Sequence, residues 1–153
     1  MAKIQPQSVG LAPELPRHIG IIMDGNGRWA KKRGMPRKFG HREGAKTFRA
    51  ITRHAKALGI QYITYYAFST ENWKRSVEEV STIMNIFRKY LVDSIERSNR
   101  NNMRVRIIGK REDLPEDIVE KMYNLEKATA NNTGLQFSVA INYGGRDEIT
   151  RAV

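Results

Sequence analysis

Residues that could bind a metal ion or an anion are most concentrated in residues 19–29, where the sequence reads IGIIMDGNGRW. The apolar residues at the start of this segment predict a short buried β-strand. The strand ends at Asp24, whose carboxylate is the kind of hard oxygen ligand that Mg²⁺ prefers. In residues 25–28 the glycines leave backbone N–H groups accessible to an anion, and the arginine can bind phosphate oxygens in a bidentate way. The pattern predicts a metal–diphosphate site.

Two other interpretations of this segment are open. Residues 25–30 also match G-x-G-x-x-A, the fingerprint of dinucleotide-binding domains, but the second predicted strand offers no acid at the distance expected for a ribose contact. The Walker A sequence is absent. A glycine-rich turn beside a surface acid is the ordinary explanation of a short G-x-G match. It accounts poorly for the eight specific residues of MDGNGRWA.

Composition limits the class of protein. A chain of 153 residues is about one domain, long enough to bury a core. Its 27 Lys and Arg against 16 Asp and Glu give a net charge of +11, which favours polyanions or an anionic membrane surface. The absence of cysteine excludes disulfides and thiolate metal sites and fits a cytoplasmic protein. No apolar run reaches the roughly 18 residues of a membrane-spanning helix, which leaves peripheral contact at the inner face of a membrane open.

Hydrophobic periodicity predicts strands that alternate with helices. The first strand is predicted from residue 19 to Asp24. Further strands are predicted over residues 62–68, 103–109 and 135–141. Helices are predicted over residues 41–58, 77–99 and about 116–131, and from Asp147 onward, with a flexible arm over residues 1–15 and a basic loop over residues 29–40. This alternation predicts an α/β fold, with a mostly parallel sheet, helices packed on it and right-handed crossovers.

Three polar clusters follow predicted strands, and ligands of such sheets bind beyond the carboxyl ends of the strands. The clusters are DGNGR after strand one, STENWKR after strand two and NYGGR after strand four. Their convergence predicts one ligand site at this edge. The apolar surface of the helix over residues 77–99 is wider than one packing contact needs, so it is either ordinary core or the wall of an apolar channel.

Several longer motifs carry a family resemblance. The segments HIGIIMDGNGRWA, RKFGH, YAFSTENW, NNTGL and NYGGR occur in this order from residue 18 onward. In these motifs the sequence resembles the cis-prenyltransferases, in particular those of the undecaprenyl diphosphate synthase type. The resemblance implies that residues 16–153 are the N-terminal portion of a single cis-prenyltransferase domain.

The resemblance also implies an activity. Isopentenyl diphosphate would be condensed successively onto an allylic diphosphate such as farnesyl diphosphate. The long polyprenyl diphosphate produced would serve as a lipid carrier for cell-wall synthesis. Further implications are dependence on Mg²⁺, a homodimer and no role for nucleic acid.

Carried over residue by residue, the resemblance assigns roles within this sequence. Asp24 is implied to be catalytic and to bind the metal. The implied substrate-binding residues are Gly25, Asn26, Gly27, Arg28, Trp29, Arg37, His41, Ser69, Thr70, Glu71, Trp73 and Arg75. Asn72 falls on a position that is a candidate proton acceptor in the family. An amide is a poor base, so a positioning role is its alternative.

The sequence departs from the family pattern in length. Family members continue into a second half that supplies an Arg- and Ser-bearing motif for isopentenyl diphosphate, a glutamate near the metal and much of the dimer contact. No counterpart follows Val153. We therefore expect a truncated chain whose sheet, cut after strand four, is left with an unpaired edge.

Two other classes of protein remain as alternatives. A basic nucleic-acid-binding domain would fit the net charge, although no nucleic-acid-binding motif is present. A non-catalytic prenyltransferase-like subunit would fit the resemblance, but it would not need Asp24, Arg28 and Arg37 together.

Overall fold

A computed structural model describes residues 15–153, so the predicted arm lies outside the described residues apart from Leu15. The elements of this range are β1 (His18–Ile22), α1 (Asn26–Lys31), α2 (Arg37–Ala57), β2 (Tyr62–Ser69), a 3-10 helix (Thr70–Lys74), α3 (Val77–Arg100), β3 (Arg104–Ile108), α4 (Glu116–Ala128), β4 (Gln136–Tyr143) and α5 (Gly145–Ala152). Among them, none of the helices has the length and hydropathy that crossing a membrane requires.

The four strands form one parallel sheet in the order β1-β2-β4-β3. All carboxyl ends therefore lie at one edge. The register aligns Ile63 with Phe137 and Val105, and Tyr65 with Val139 and Ile107, so alternate residues form apolar rows on one face. The predicted α/β fold with a parallel sheet is confirmed.

An aromatic cluster anchors α2 on this face. The ring of Phe48, from α2, lies 4.3 Å from that of Tyr65 and 5.4 Å from that of Phe137, measured between centroids. The buried Tyr65 hydroxyl lies 3.1 Å from Thr52 Oγ1, so its polar atom has a partner. Burial also raises the pKa of Tyr65 and keeps the phenol neutral. This packing fixes the direction in which α2 approaches the strand ends.

Side chains of α4 cover the outer edge of β3. The Val105 N–H donates to Thr129 Oγ1 at 3.2 Å, and the Ile107 N–H donates to Glu126 Oε1 at 2.8 Å. These bonds satisfy ladder groups that an edge strand would otherwise leave unpaired. The edge strands of the sheet are β1 and β3, because β4 lies between β2 and β3.

The basic loop predicted over residues 29–40 is wrong at both ends. Residues 29–31 belong to α1 and residues 37–40 to the start of α2, whereas residues 32–36 form the turn between the two helices. Gly25 adopts φ 87° at the N-cap of α1, a conformation that glycine allows, and Trp29 N–H donates to its carbonyl at 2.8 Å. Tertiary packing supports this short helix because Gly40 of α2 lets the α1 backbone approach closely.

We predict that Gly40→Ala displaces α1 from α2. The added methyl group would overlap the carbonyl oxygen of Asn26, which is backbone and cannot rotate away. Overpacking of this kind costs about 1–3 kcal/mol of unfolding free energy. Urea denaturation measures the change. Gly20→Ala is the matched control because its methyl group would meet open space, and equal unfolding midpoints for the two variants would contradict the prediction.

Candidate active site

An apolar cavity of about 160 Å³ lies between α2, α3 and the core face of the sheet. Its walls are apolar residues of those elements, among them Ala45, Phe48, Ile83, Phe87, Leu91, Val105, Ile107, Val139 and Ile141. Polar side chains enter the lining at four positions, Asn26, His41, Asn72 and Arg75. A cavity with this division of polar and apolar lining suits a ligand with an apolar tail and a polar head.

Asp24 and Arg28 form an exposed ion pair beside α1. Asp24 Oδ2 accepts from Arg28 Nη2 at 2.8 Å, and Asp24 Oδ1 accepts from the Gly25 N–H at 2.5 Å. The two side chains are 74% and 75% exposed, and neither lines the cavity. An exposed pair contributes about 0–1 kcal/mol, so a charged ligand can compete for either partner.

The start of α1 faces α2 across two glycines. Backbone N–H groups in the first turn of a helix have no carbonyl partner within the helix. The Arg37 side chain lies against Gly27, where a Cβ atom would come 3.5 Å from its Nε atom. The Asn26 amide lies against Gly44, where a Cβ atom would come within 2.7 Å. Because Gly27 and Gly44 have no side chain, the backbone N–H groups of α1 can lie close to Arg37.

A carboxylate that the sequence did not single out joins the cationic groups of the site. Glu79, in the first turn of α3, accepts from Arg37 Nη1 at 3.0 Å and from Arg75 Nη1 at 2.7 Å. His41 Nε2 lies 3.8 Å from the same carboxylate. The Glu79 side chain is 15% exposed. One half-buried carboxylate therefore holds two guanidinium groups at the cavity.

His41 is kept neutral by its surroundings. Burial is the largest influence and lowers its pKa, the charge of Glu79 acts in the opposite direction, and Arg75 and Arg37 lower the pKa further. Its buried Nε2 atom has no hydrogen-bond partner among the residues that the structure describes. A neutral imidazole with an unused nitrogen can interact with a ligand at this position.

The 3-10 helix after β2 presents the STENWKR cluster. Ser69 Oγ accepts from the Glu71 N–H at 3.0 Å, and Asn72 Oδ1 accepts from the Ser69 N–H at 3.0 Å. Thr70 packs against Gly144, while Glu71 is exposed. The Asn72 carbonyl oxygen is thus already engaged, which favours the positioning role over that of proton acceptor.

Trp73 connects the ends of β2 and β4. Its Nε1–H donates to Asn142 Oδ1 at 2.8 Å, and its ring meets Phe68 edge-on with 5.1 Å between centroids. Asn142 is buried, has φ 52° and donates to the Lys110 carbonyl at 3.3 Å. Asparagine tolerates this left-handed conformation better than most residues. A side chain of the NYGGR motif therefore anchors the loop that carries Asn72.

The structure separates the predicted site residues into two groups. Asn26, Arg37, His41, Asn72 and Arg75 line the cavity or pair with Glu79. The remaining residues lie outside the lining, and Trp29 is 37% exposed with the Arg33 guanidinium 4.2 Å from its ring. Members of this second group are Asp24, Gly25, Gly27, Arg28, Trp29, Ser69, Thr70, Glu71 and Trp73.

Glu79 is the residue that sequence reasoning missed. Ser76 Oγ accepts from the Glu79 N–H at 3.3 Å, so the S-x-x-E pattern at this point indicates only a capping box. The ion pair with Arg37 spans 42 positions and leaves no local signal. Asn142 belongs to the NYGGR cluster predicted at the carboxyl end of strand four, but its hydrogen bond with Trp73 was not predicted from the sequence.

The site fits Mg²⁺ through a single carboxylate. Over residues 15–153 there is no group of three or more His, Asp or Glu that could hold a metal ion by themselves. Mg²⁺ usually keeps several waters and is bound by one or two carboxylates together with substrate phosphates. Asp24 is exposed beside the cationic residues, and a second lone pair remains on each of its oxygens. Its chemistry therefore suits a metal that arrives with a diphosphate.

Comparison with known proteins decides the family. Residues 22–153 match the family model described as "Putative undecaprenyl diphosphate synthase". The chain belongs to this family. An isoprenyl transferase of Fusobacterium nucleatum is 48% identical over 139 residues, which are 91% of this chain and 60% of that protein.

Two solved structures share the fold. Lavandulyl diphosphate synthase from Lavandula x intermedia, in complex with dimethylallyl diphosphate, is 33% identical with a TM-score of 0.85, covering 90% of this chain and 59% of that one. A "probable undecaprenyl diphosphate synthase" from Campylobacter jejuni is 32% identical with a TM-score of 0.74, covering 89% and 58%. The predicted family is confirmed, and the chain spans about 60% of the length of such relatives.

We predict that acid destabilises the chain partly through His41. Because its pKa is lowered in the folded state, the unfolded chain binds the proton more readily, and stability falls as the pH drops through about 6.5. His41→Gln should therefore lose less unfolding free energy between pH about 7 and about 5 than the unsubstituted chain. Urea denaturation across this pH range measures the difference, with exposed His54→Gln as the control. An equal loss in all three proteins would rule out the role of His41.

Proposed function

We propose that this chain carries the allylic-diphosphate site of an enzyme that transfers prenyl groups with cis geometry. The observation that carries the proposal is the apolar cavity whose lining includes Asn26, His41, Asn72 and Arg75. Membership of the family supports it. Further support comes from lavandulyl diphosphate synthase, whose structure is a complex with dimethylallyl diphosphate, an allylic diphosphate.

The diphosphate head is bound by the cationic groups at the start of α1 and α2. Arg28 and Arg37 present planar donors that match phosphate oxygens, and the first N–H groups of α1 add backbone donors. Arg75 reaches the same region through its pair with Glu79 at 2.7 Å. Because Glu79 already orients Arg37 and Arg75, a diphosphate meets guanidinium groups that need little further ordering.

Charge stabilisation is the main catalytic contribution of these residues. As the allylic carbon–oxygen bond breaks, the leaving diphosphate gains negative charge, which the arginines and backbone donors stabilise. The double bond of isopentenyl diphosphate attacks the cation-like carbon and forms the new carbon–carbon bond. The resulting cation then loses a proton to give the lengthened allylic diphosphate. Asp24 would hold Mg²⁺ together with phosphate oxygens, and the bound ion would neutralise further charge. Asn72 positions the adjacent loop, and its role as proton acceptor stays a prediction.

The apolar tail of the substrate enters the cavity between α2, α3 and the sheet. An apolar cavity of about 150 Å³ is large enough for a benzene molecule. The cavity here, about 160 Å³, therefore holds only a short part of a prenyl chain as it stands. Growth to a long polyprenyl diphosphate requires α2 and α3 to separate or the tail to leave between them.

The wider biological role is also part of the proposal. Repeated condensation onto farnesyl diphosphate would give a lipid carrier for cell-wall precursors. The protein would act as a homodimer in the cytoplasm with peripheral contact at the inner face of the membrane. The family description and the isoprenyl transferase relatives support a prenyl product of this kind.

We predict that Asp24→Ala weakens Mg²⁺-dependent binding of farnesyl diphosphate by about tenfold or more, because it removes the carboxylate ligand of the metal. Tryptophan fluorescence titrations with and without Mg²⁺ measure the affinity. Glu96→Ala is the matched control, since Glu96 forms an exposed pair with Arg100 on α3. Unchanged Mg²⁺ dependence in Asp24→Ala, with the circular dichroism spectrum retained, would exclude the metal role.

A second prediction separates Arg28 and Arg37 from general surface charge. Lysine keeps the positive charge but lacks the planar fork, so either Arg28→Lys or Arg37→Lys should bind farnesyl diphosphate about fivefold to tenfold more weakly. Arg106→Lys, on the exposed side of β3, should bind normally. The same fluorescence titration measures all three. Equal affinities throughout would mean that these arginines do not contact the diphosphate.

A third prediction tests where the second substrate binds. We expect the 153-residue chain to bind an allylic diphosphate weakly and to incorporate no isopentenyl diphosphate, because the motif that the resemblance assigns to that substrate has no counterpart here. Labelled isopentenyl diphosphate, farnesyl diphosphate and Mg²⁺ are incubated with the chain, and butanol-extractable product is counted. A full-length isoprenyl transferase relative serves as the positive control. Robust product from the chain alone would place both substrate sites in these residues.

A further inference from the structure

A second concave surface lies on the outside of the same two helices. It is an open groove of about 530 Å³ between α2 and α3, here called the α2–α3 groove. Phe39, Ile86 and Tyr90 are its large apolar residues, and Asp93 is the acid among its lining residues. The cations that line it are Lys38, Arg42, Lys46, Arg49, Lys89 and Arg97. The lining of this groove therefore combines large apolar side chains with six cations and a single acid.

The positive charge of the groove comes mainly from α2. This helix of 21 residues contains seven Lys or Arg and a single acid, Glu43, which pairs with Lys46 at 2.7 Å. Arg49 of α2 and Lys89 of α3 both line the groove. Neither of them forms an ion pair with any residue that the structure describes. Unpaired cations on this face are available to an external polyanion.

Exposed apolar side chains lie beside these cations. Trp29, Met35 and Phe39, at the junction of α1 and α2, are 37%, 39% and 37% exposed. Arg42 lies 5.4 Å from the Phe39 ring, and Arg33 lies 4.2 Å from the Trp29 ring. Aromatic and apolar residues interleaved with Lys and Arg are typical of surfaces that lie in the headgroup region of a bilayer. Because guanidinium groups already cover these rings, they are less suited to stacking on nucleic-acid bases.

The groove and the apolar cavity share part of their lining. His41, Ala45, Ile86 and Tyr90 border both. The space that would hold a prenyl tail therefore adjoins the basic outer surface at these four side chains. An apolar chain that outgrows the cavity can leave it here if these side chains move aside.

We propose that the α2–α3 groove is the surface by which this protein lies on an anionic lipid bilayer. Its cations contact headgroup phosphates, while Phe39 and the neighbouring exposed apolar side chains enter the interface. The binding site is independent of catalysis, but its link with the cavity rests on the proposed function: the tail of a growing product passes from the cavity directly into the bilayer.

Vesicle sedimentation tests the proposal without substrate. The chain is mixed with vesicles of neutral phosphatidylcholine or of phosphatidylcholine with phosphatidylglycerol, and protein sedimenting without vesicles is subtracted. We expect binding to the anionic vesicles alone, and its loss at about 1 M salt, where the Debye length is about 3 Å. The double variant Arg49→Gln/Lys89→Gln should bind about thirtyfold more weakly, since each cation near such a surface contributes about 1 kcal/mol and 1.4 kcal/mol is tenfold.

A matched double variant distinguishes the groove from overall charge. Arg106→Gln/Lys127→Gln removes the same charge from exposed positions of β3 and α4, and it should retain the affinity of the unsubstituted chain. Equal loss in both double variants, or no binding to anionic vesicles, would overturn the proposal. Tighter binding to a short DNA duplex than to the vesicles, lost in the groove variant, would assign the groove to nucleic acid instead. None of these outcomes depends on prenyl transfer. The experiment therefore tests membrane binding separately from the proposed function.

Discussion

The candidate site depends most on the carboxylate of Glu79. Arg37, at the start of α2, and Arg75, just before α3, converge on this carboxylate, and like charges that lie close together repel one another. Glu79 offsets that repulsion by accepting from both guanidinium groups, at 3.0 and 2.7 Å. Its side chain is only 15% exposed, so losing one partner would leave charge incompletely compensated in a half-buried position. The same carboxylate thus links the start of α3 to the start of α2 through its pair with Arg37.

This arrangement has opposing consequences for ligand binding. Arginine side chains that are already held in place lose less conformational freedom when a diphosphate arrives, a saving of about 0.5–1.5 kcal/mol for each side chain. The diphosphate must also share or replace the bonds that Glu79 makes. Its greater negative charge favours that exchange, because charge-assisted bonds to Arg37 and Arg75 strengthen with the charge of the acceptor. A neutral His41 adds no positive charge to this balance.

The fold was predictable where hydrophobic pattern determines it. Strands such as β2 and β4 alternate buried and exposed residues or are apolar throughout, and each was predicted to within a few residues. Sheet order was not predictable, because the insertion of β4 between β2 and β3 depends on crossovers rather than on local sequence. Helix α1 was missed because it depends on contact with Gly40, ten or more positions away. The motif residues were found by resemblance. Glu79 was not, because its partners Arg37 and His41 are distant in sequence, although Arg75 lies only four positions before it.

Cavity and groove together explain why α2 is at once basic and closely packed. Its inner side must bury Phe48 and Ala55 against the sheet, which leaves its cations to the mouth of the cavity and to the outer surface. The cavity, about 160 Å³, shares lining residues such as Ala45 and Ile86 with the outer α2–α3 groove. Side chains change rotamer far more readily than a sheet or a helix moves. An apolar tail can therefore be retained while it is short and released outward as it lengthens. This release requires an outer surface with an apolar interior for the tail and negative charge to pair with the cations of α2.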